Sequence, residues 1–172
     1  QRLYAFRPDR PQEQPYPLTP VSAVGGGLPW AQPSLHAERG EVWAVLEEFT
    51  GEGPGDLRRV HAAVPLDGSA AADRSRSRDM APSAHRFVTA LRPSPDGSQA
   101  VWLAWDHPRM PWDGTELRCA EVHGDGTLGP ARTLIGGPEE SVSQADWTAD
   151  GTLLAATDRT GWWNLHSVDP AT

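Results

Sequence analysis

SPDGSQAVWLAW, Ser94 to Trp105, sets a tight turn against an apolar run containing two Trp. Asp96-Gly97 is a hairpin signal, because glycine reaches positive φ without steric cost. The run that follows reads as a strand. The same pattern returns in ADWTADGTLLAATD, Ala145 to Asp158, and 54 residues separate Gly97 from Gly151. A degenerate copy, AQPSLHAERGEVWAVLEE, starts at Ala31 with Arg39-Gly40 in place of Asp-Gly, and 57 residues separate Gly40 from Gly97.

Each copy is followed by a second element: DLRRVHAAVPLDG from Asp56, ELRCAEVHGDG from Glu116 and NLHSVDP from Asn164. RLYAFRPD near the N-terminus looks like a fourth copy, and PYPLTPV and ARTLIGGP suit one more strand each. Four short antiparallel strands recurring at roughly 50 residues are the signature of a β-propeller. Such a blade cannot bury both faces alone. It stacks on its neighbours, here through Trp43, Val45, Trp102, Trp147 and Leu153. The fold expected is therefore all-β, a partial β-propeller of about three four-stranded antiparallel blades.

The pattern places the end of a preceding blade at 1–20, a blade at 28–88, another at 89–136 and an incomplete one at 140–172. From centre to rim, the first has strands Ala31–Leu35, Glu41–Leu46 and Leu57–Leu66, with the run from Asp67-Gly68 to Ala90 less readable. The second has Val88–Pro93, Gln99–Trp105, Leu117–His123 and Ala131–Ile135. The third has Val142–Trp147, Thr152–Thr157 and Trp163–Val168.

Composition agrees. Of 172 residues, 17 are Gly and 17 Pro, which suits turns and opposes long helices. Eight Trp argue for a packed chain. The net charge of −8 opposes non-specific nucleic-acid binding, and every basic side chain is Arg. Cys119 stands alone, so no internal disulfide forms and a cytoplasmic location is the simpler expectation. QRLYAFRPDR has no apolar core segment, so no signal peptide is expected, and no apolar run reaches membrane length.

SPDGSQAVWLAWDHPRMPWDGTELRCAEV, LGPARTLIGGPEESVSQADWTADG and TDRTGWWNLHSVD together resemble the β-propeller domain of the prolyl oligopeptidase family of serine peptidases. The branch is that of bacterial dipeptidyl and acylaminoacyl peptidases. The resemblance covers nearly the whole chain and is densest from Ser94 onward. It implies a propeller paired with an α/β-hydrolase that carries Ser, Asp and His. No G-x-S-x-G elbow occurs here, and strands do not alternate with long helices. The hydrolase domain is thus expected to be absent, and this chain alone should not cleave peptides.

In an antiparallel blade the connections alternate between two faces. Tight turns at Asp96-Gly97, Asp125-Gly126 and Asp150-Gly151 fall on one face. Loops 47–56, 106–115, 136–141 and 158–162, long and rich in aromatic and charged groups, fall on the other. Function concentrates on loops held by a scaffold. In the family resembled, that face packs over the hydrolase and lines the substrate cavity. Asp106, His107, Arg109, Trp112, Asp113, Glu139, Glu140, Arg159, Trp162 and Trp163 are therefore the candidate docking or substrate-facing groups. The competing reading packs Trp112 and Trp163 between blades and makes Asp113 and Asp158 turn caps.

Glu139-Glu140 invites comparison with paired glutamates that hold a substrate amino terminus in some dipeptidyl peptidases, but a solvated Gly-Pro loop gives the same dipeptide. Arg74 to Arg78, RSRSR, reads as a mobile, solvated loop. The six His lack ligand spacing, so no metal is expected, and no cofactor is. Cys119 reads as an inert buried thiol. Gly25-Gly26-Gly27 lacks the context of a phosphate loop. The function expected is a non-catalytic propeller that admits and binds short peptides. Its partners would be the hydrolase domain or the remaining blades of the same parent protein. The alternative is a stand-alone TolB-like binding or scaffold propeller, in which two copies close a ring as a homodimer.

Overall fold

A computed structural model describes residues 2–22, 27–53 and 55–171. Gly25 and Gly26 of the glycine triplet lie outside them. The fold is a partial β-propeller of antiparallel blades, and its residues divide into two compact units, Gln1–Pro82 and Ser83–Thr172.

In the first unit, β1 (Tyr4–Ala5) and β2 (Tyr16–Pro17) form a two-stranded sheet. A four-stranded sheet follows in chain order: β3 (Trp30–His36), β4 (Glu41–Phe49), β5 (Leu57–Pro65) and β6 (Arg78–Pro82). Burial on both faces of β4 and β5 explains why their sequences run apolar instead of alternating. Leu18, Val42, Val64 and Ala70 form one core cluster with Tyr16 and Trp30 against it, so the β1–β2 pair packs on the larger sheet. Arg2 fastens that contact, donating from Nε to Thr19 O at 2.6 Å and from a terminal nitrogen to Ala71 O at 2.8 Å.

Strand β6 is the element that sequence reasoning leaves unread, and RSRSR runs into it. Arg74–Arg76 form one helical turn, capped by the Asp73 carboxylate accepting from Ser75 N at 2.9 Å. Arg74 reaches Asp79 at 2.5 Å and Glu48 at 3.5 Å, and Arg78 reaches Glu41 at 2.7 Å. Arg58 pairs with both Glu48 and Asp79. In place of the expected mobile loop stands a helical turn that leads into a rim strand. Arg74 and Arg78 are engaged by carboxylates on β4 and β6, partners that local composition does not reveal, while Arg76 stays exposed.

His36 ends β3 with only 5% exposure. Its ring stacks on Trp43, centroids 3.8 Å apart, and its Nε2 is buried without a partner. Burial lowers its pKa, with Arg39 acting the same way and Glu38 and Glu41 opposing. A histidine held neutral contributes stability that is complete above the unfolded value of 6.5 and is lost as pH falls below it. Urea midpoints followed by Trp fluorescence should therefore drop between about pH 7.5 and about pH 5. His36→Phe, which keeps a ring on Trp43 without a titrating nitrogen, should reduce that drop.

In the second unit, β7 (Phe87–Val88), β8 (Arg92–Pro93), β9 (Gln99–Trp105), β10 (Glu116–Glu121) and β11 (Arg132–Gly136) make one sheet. The first sheet thus closes at Pro82, and Phe87 and Val88 already pair with Trp105 and Ala104, which moves the division ahead of 88. The single strand expected over Val88–Pro93 is interrupted. Thr89 Oγ1 accepts from Leu103 N at 2.9 Å, so a side chain replaces a ladder carbonyl between β7 and β8. The last sheet is β12 (Val142–Trp147), β13 (Leu153–Thr157) and β14 (Asn164–Val168).

The Asp-Gly turns form as their chemistry demands. Gly97, Gly126 and Gly151 have φ of 69°, 78° and 86°. The Ser94 and Thr148 hydroxyls accept from Gln99 N and Thr152 N, both at 3.0 Å, so a hydroxyl closes each turn, over five residues in the first and four in the second. The Ser94 hydroxyl, with the Ser98 amide and hydroxyl, holds Asp96 down at about 2. Val101, Leu117, Cys119, Val142, Leu153, Ala155 and Val168 form one core, with Trp147 packed against it. Cys119 is 1% exposed, and burial raises its pKa.

Candidate functional site

Three connections leave the same strand ends of the second unit: 106–115 between β9 and β10, 137–141 between β11 and β12, and 158–163 between β13 and β14. The Asp-Gly turns 94–98 and 148–152 close the opposite ends of β9 and of β12 and β13. This is the segregation that antiparallel topology requires.

Buried hydroxyls tie the three connections together. Thr115 is 1% exposed, and its Oγ1 accepts from Val142 N at 2.6 Å and donates to Val142 O at 2.8 Å. Ser141 Oγ donates to Pro111 O, and Ser141 N donates to Asp158 Oδ1 at 2.8 Å. Thr157 Oγ1 donates to Glu140 Oε1 at 2.7 Å. Thr115 N donates to Glu140 O at 3.1 Å. Gly114 lies so close to Gly137 O and Pro138 O that an added Cβ would sit 2.6–2.7 Å from them.

The first connection is fixed along its length. Asp106 accepts from Arg86 N at 2.6 Å and bonds His85 Nδ1 at 2.8 Å. Burial pushes its pKa up, but the Arg86 amide, the His85 bond and the charges of both outweigh it, so the carboxyl lies below its ordinary value. His107 meets Phe87 edge-on at 5.2 Å, and Phe87 stacks with Trp105 at 5.4 Å. Arg109 Nε donates to Pro138 O at 2.9 Å. Asp113 closes a turn by accepting from Met110 N at 3.0 Å, whereas the Asp158 carboxylate reaches across to Ser141 N in the neighbouring connection.

The indoles behave otherwise. Trp112, Trp162 and Trp163 are 63%, 80% and 50% exposed. The two glutamates also part company. Glu140 is held by Thr157 and by Arg159 at 3.3 Å, while Glu139 is exposed. Loop 47–56 belongs to the other unit. There β4 runs on to Phe49, and Asp56 folds the connection by accepting from Gly53 N at 2.9 Å.

His85, Thr115, Glu116, Ser141 and Thr157 are absent from the residues the sequence singled out. Glu116 Oε2 stands 4.0 Å from His85 Nε2 and accepts from Thr133 and Arg118, both at 2.7 Å. The hydroxyls have a faint signal: each sits at a strand end beside a glycine or a charged loop residue. His85 has none, because it lies in the unreadable run. A recess of about 80 Å³ opens between His85, Asp106, Arg109, Glu116 and Pro138. Among the described residues no three His, Cys, Asp or Glu groups converge as metal ligands, and no helix is long and apolar enough to cross a membrane.

No family model matches the sequence, and no curated protein does. Solved structures do. A puromycin hydrolase is 70% identical over all of this chain at a TM-score of 0.96, both in one structure and in a variant complexed with PGG. The chain matches the propeller part of a prolyl oligopeptidase-family peptidase. A puromycin-hydrolyzing peptidase from Mycobacterium tuberculosis follows at 39% identity and TM-score 0.89, again over the full chain. The chain spans 26% of the length of each of those relatives. In such larger peptidases the corresponding part is fused to a hydrolase domain. A gluconolactonase from Xanthomonas campestris, 17% identical at TM-score 0.55, covers 97% of this chain and 55% of its own, a likeness of fold alone.

Proposed function

We propose that this chain is the non-catalytic propeller part of a serine peptidase of dipeptidyl or acylaminoacyl type. It admits and holds short peptides, and amides such as puromycin, for a hydrolase domain of the same parent protein. The observation that carries this reading is the trio of exposed indoles, Trp112, Trp162 and Trp163, on loops fixed by buried hydroxyl groups. Large aromatic surface left in water on a rigid support is what an interface or a substrate wall uses. Glu139 adds an exposed carboxylate that suits an ammonium group. The propeller restricts access by size, and acyl transfer through a Ser nucleophile belongs to the hydrolase. The lone buried Cys119 fits a cytoplasmic enzyme.

The test joins this chain to the hydrolase part in the longer peptidase. Trp112→Ala should lower kcat/KM by roughly tenfold, as loss of one desolvated aromatic contact does. The same substitution should leave the unfolding midpoint of this chain unchanged, because the indole is exposed. Unchanged turnover together with unchanged stability would sink the reading. A discrete dimer of the isolated chain would favour the self-closing propeller instead.

A further inference from the structure

We propose that Met110 is an oxidation site at which peroxide turns an exposed apolar side chain of the loop face into a polar one. The chain holds three sulfur atoms, in Cys119, Met80 and Met110. Cys119 is 1% exposed and Met80 3%, whereas Met110 is 39% exposed. A thiol is ordinarily attacked by peroxide as its thiolate. Burial holds the Cys119 thiol protonated and out of reach, which leaves the Met110 thioether as the accessible sulfur.

The chemistry is a two-electron oxygen transfer. The sulfur lone pair attacks one oxygen of hydrogen peroxide, the O–O bond breaks, and a proton shift releases water. Sulfur is oxidised to the sulfoxide and peroxide is reduced. The main chain has no part in it. Met110 N donates to Asp113 Oδ2 at 3.0 Å, and Met110 O accepts from Asp113 N at 2.9 Å. The loop therefore keeps its turn while the side chain changes from an apolar thioether to a strong acceptor. Met110 stands two residues from Trp112, so the change falls on the face assigned above to docking and substrate, and its consequence for activity rests on that assignment.

Peroxide treatment of the chain followed by peptide mass mapping tests the site. One oxygen should be gained at Met110 more than about tenfold faster than at Met80, which reacts only through transient unfolding. Met110→Leu should abolish the fast phase, and methionine sulfoxide reductase should reverse it. Equal rates, or first gain at Met80, Cys119 or an indole, would overturn the site. In the longer peptidase, peroxide should lower turnover several-fold, reductase should restore it, and the Met110→Leu protein should keep its own untreated rate. Fast oxidation of Met110 without loss of turnover would overturn the functional half. If Trp112→Ala is also silent, the failure lies in the assignment of the face and not in the oxidation chemistry.

Discussion

Replacing Gly136 by Ala is expected to cost the second unit roughly 3–5 kcal/mol of folding free energy. Gly136 ends β11 at φ 88°, where a side chain is strained. A Cβ there would lie 2.0 Å from Thr115 O and 3.1 Å from Val142 Cγ2. Thr115 O is not free to retreat, since it accepts from Gly137 N at 2.9 Å. Relief would have to separate β10 from β11 or lift the 137–141 connection from β10. Gly151→Ala provides the comparison. Its φ is 86°, but nothing lies within 4 Å of the added carbon. It should cost only the dihedral strain, about 1–2 kcal/mol. Urea unfolding of the two variants separates clash from strain. Equal losses would show that the close approach at Gly136 is not real.

Thr115→Val should cost about 2–4 kcal/mol, nearly all of it from hydrogen bonds, because the two side chains have almost the same shape. The hydroxyl satisfies both main-chain groups of Val142, itself 0% exposed. Valine leaves a buried N–H and a buried carbonyl unpaired, and a buried unsatisfied group costs about 1–3 kcal/mol. Thr115→Ser keeps the hydroxyl and should recover most of the loss. In the longer peptidase, Thr115→Val should also raise KM, since Thr115 anchors the end of the loop that presents Trp112. A valine variant as stable as the parent would mean that Val142 finds other partners.

The turns were the most legible part of the chain, because their requirements are local. Asp96-Gly97 and Asp150-Gly151 need only one residue with positive φ and an aspartate to receive neighbouring donors. Strand order within each sheet follows from those turns. Strand β6 was not legible, because it pairs with β5 and its ion pairs reach Glu41 and Arg58, all between about 15 and 40 residues away in sequence. The break between β7 and β8 was hidden for a related reason. A threonine hydroxyl that stands in for a carbonyl leaves no trace in apolar periodicity.

The candidate site was legible in its loops but not in its atoms. Antiparallel connectivity alone groups 106–115, 136–141 and 158–162. It does not say that Glu140 is engaged by Thr157 and Arg159 while adjacent Glu139 faces solvent. Nor does it say that the loop residue Trp112 stays exposed while Trp147, at the end of β12, packs against the core.

The core that contains Leu117 of β10 also contains Leu153 of β13, so these adjacent blades have no private interiors. A scaffold built this way cannot be shortened one blade at a time. Its smallest transplantable block is the pair, and an insertion belongs in an outward turn such as Asp150-Gly151, never along the seam.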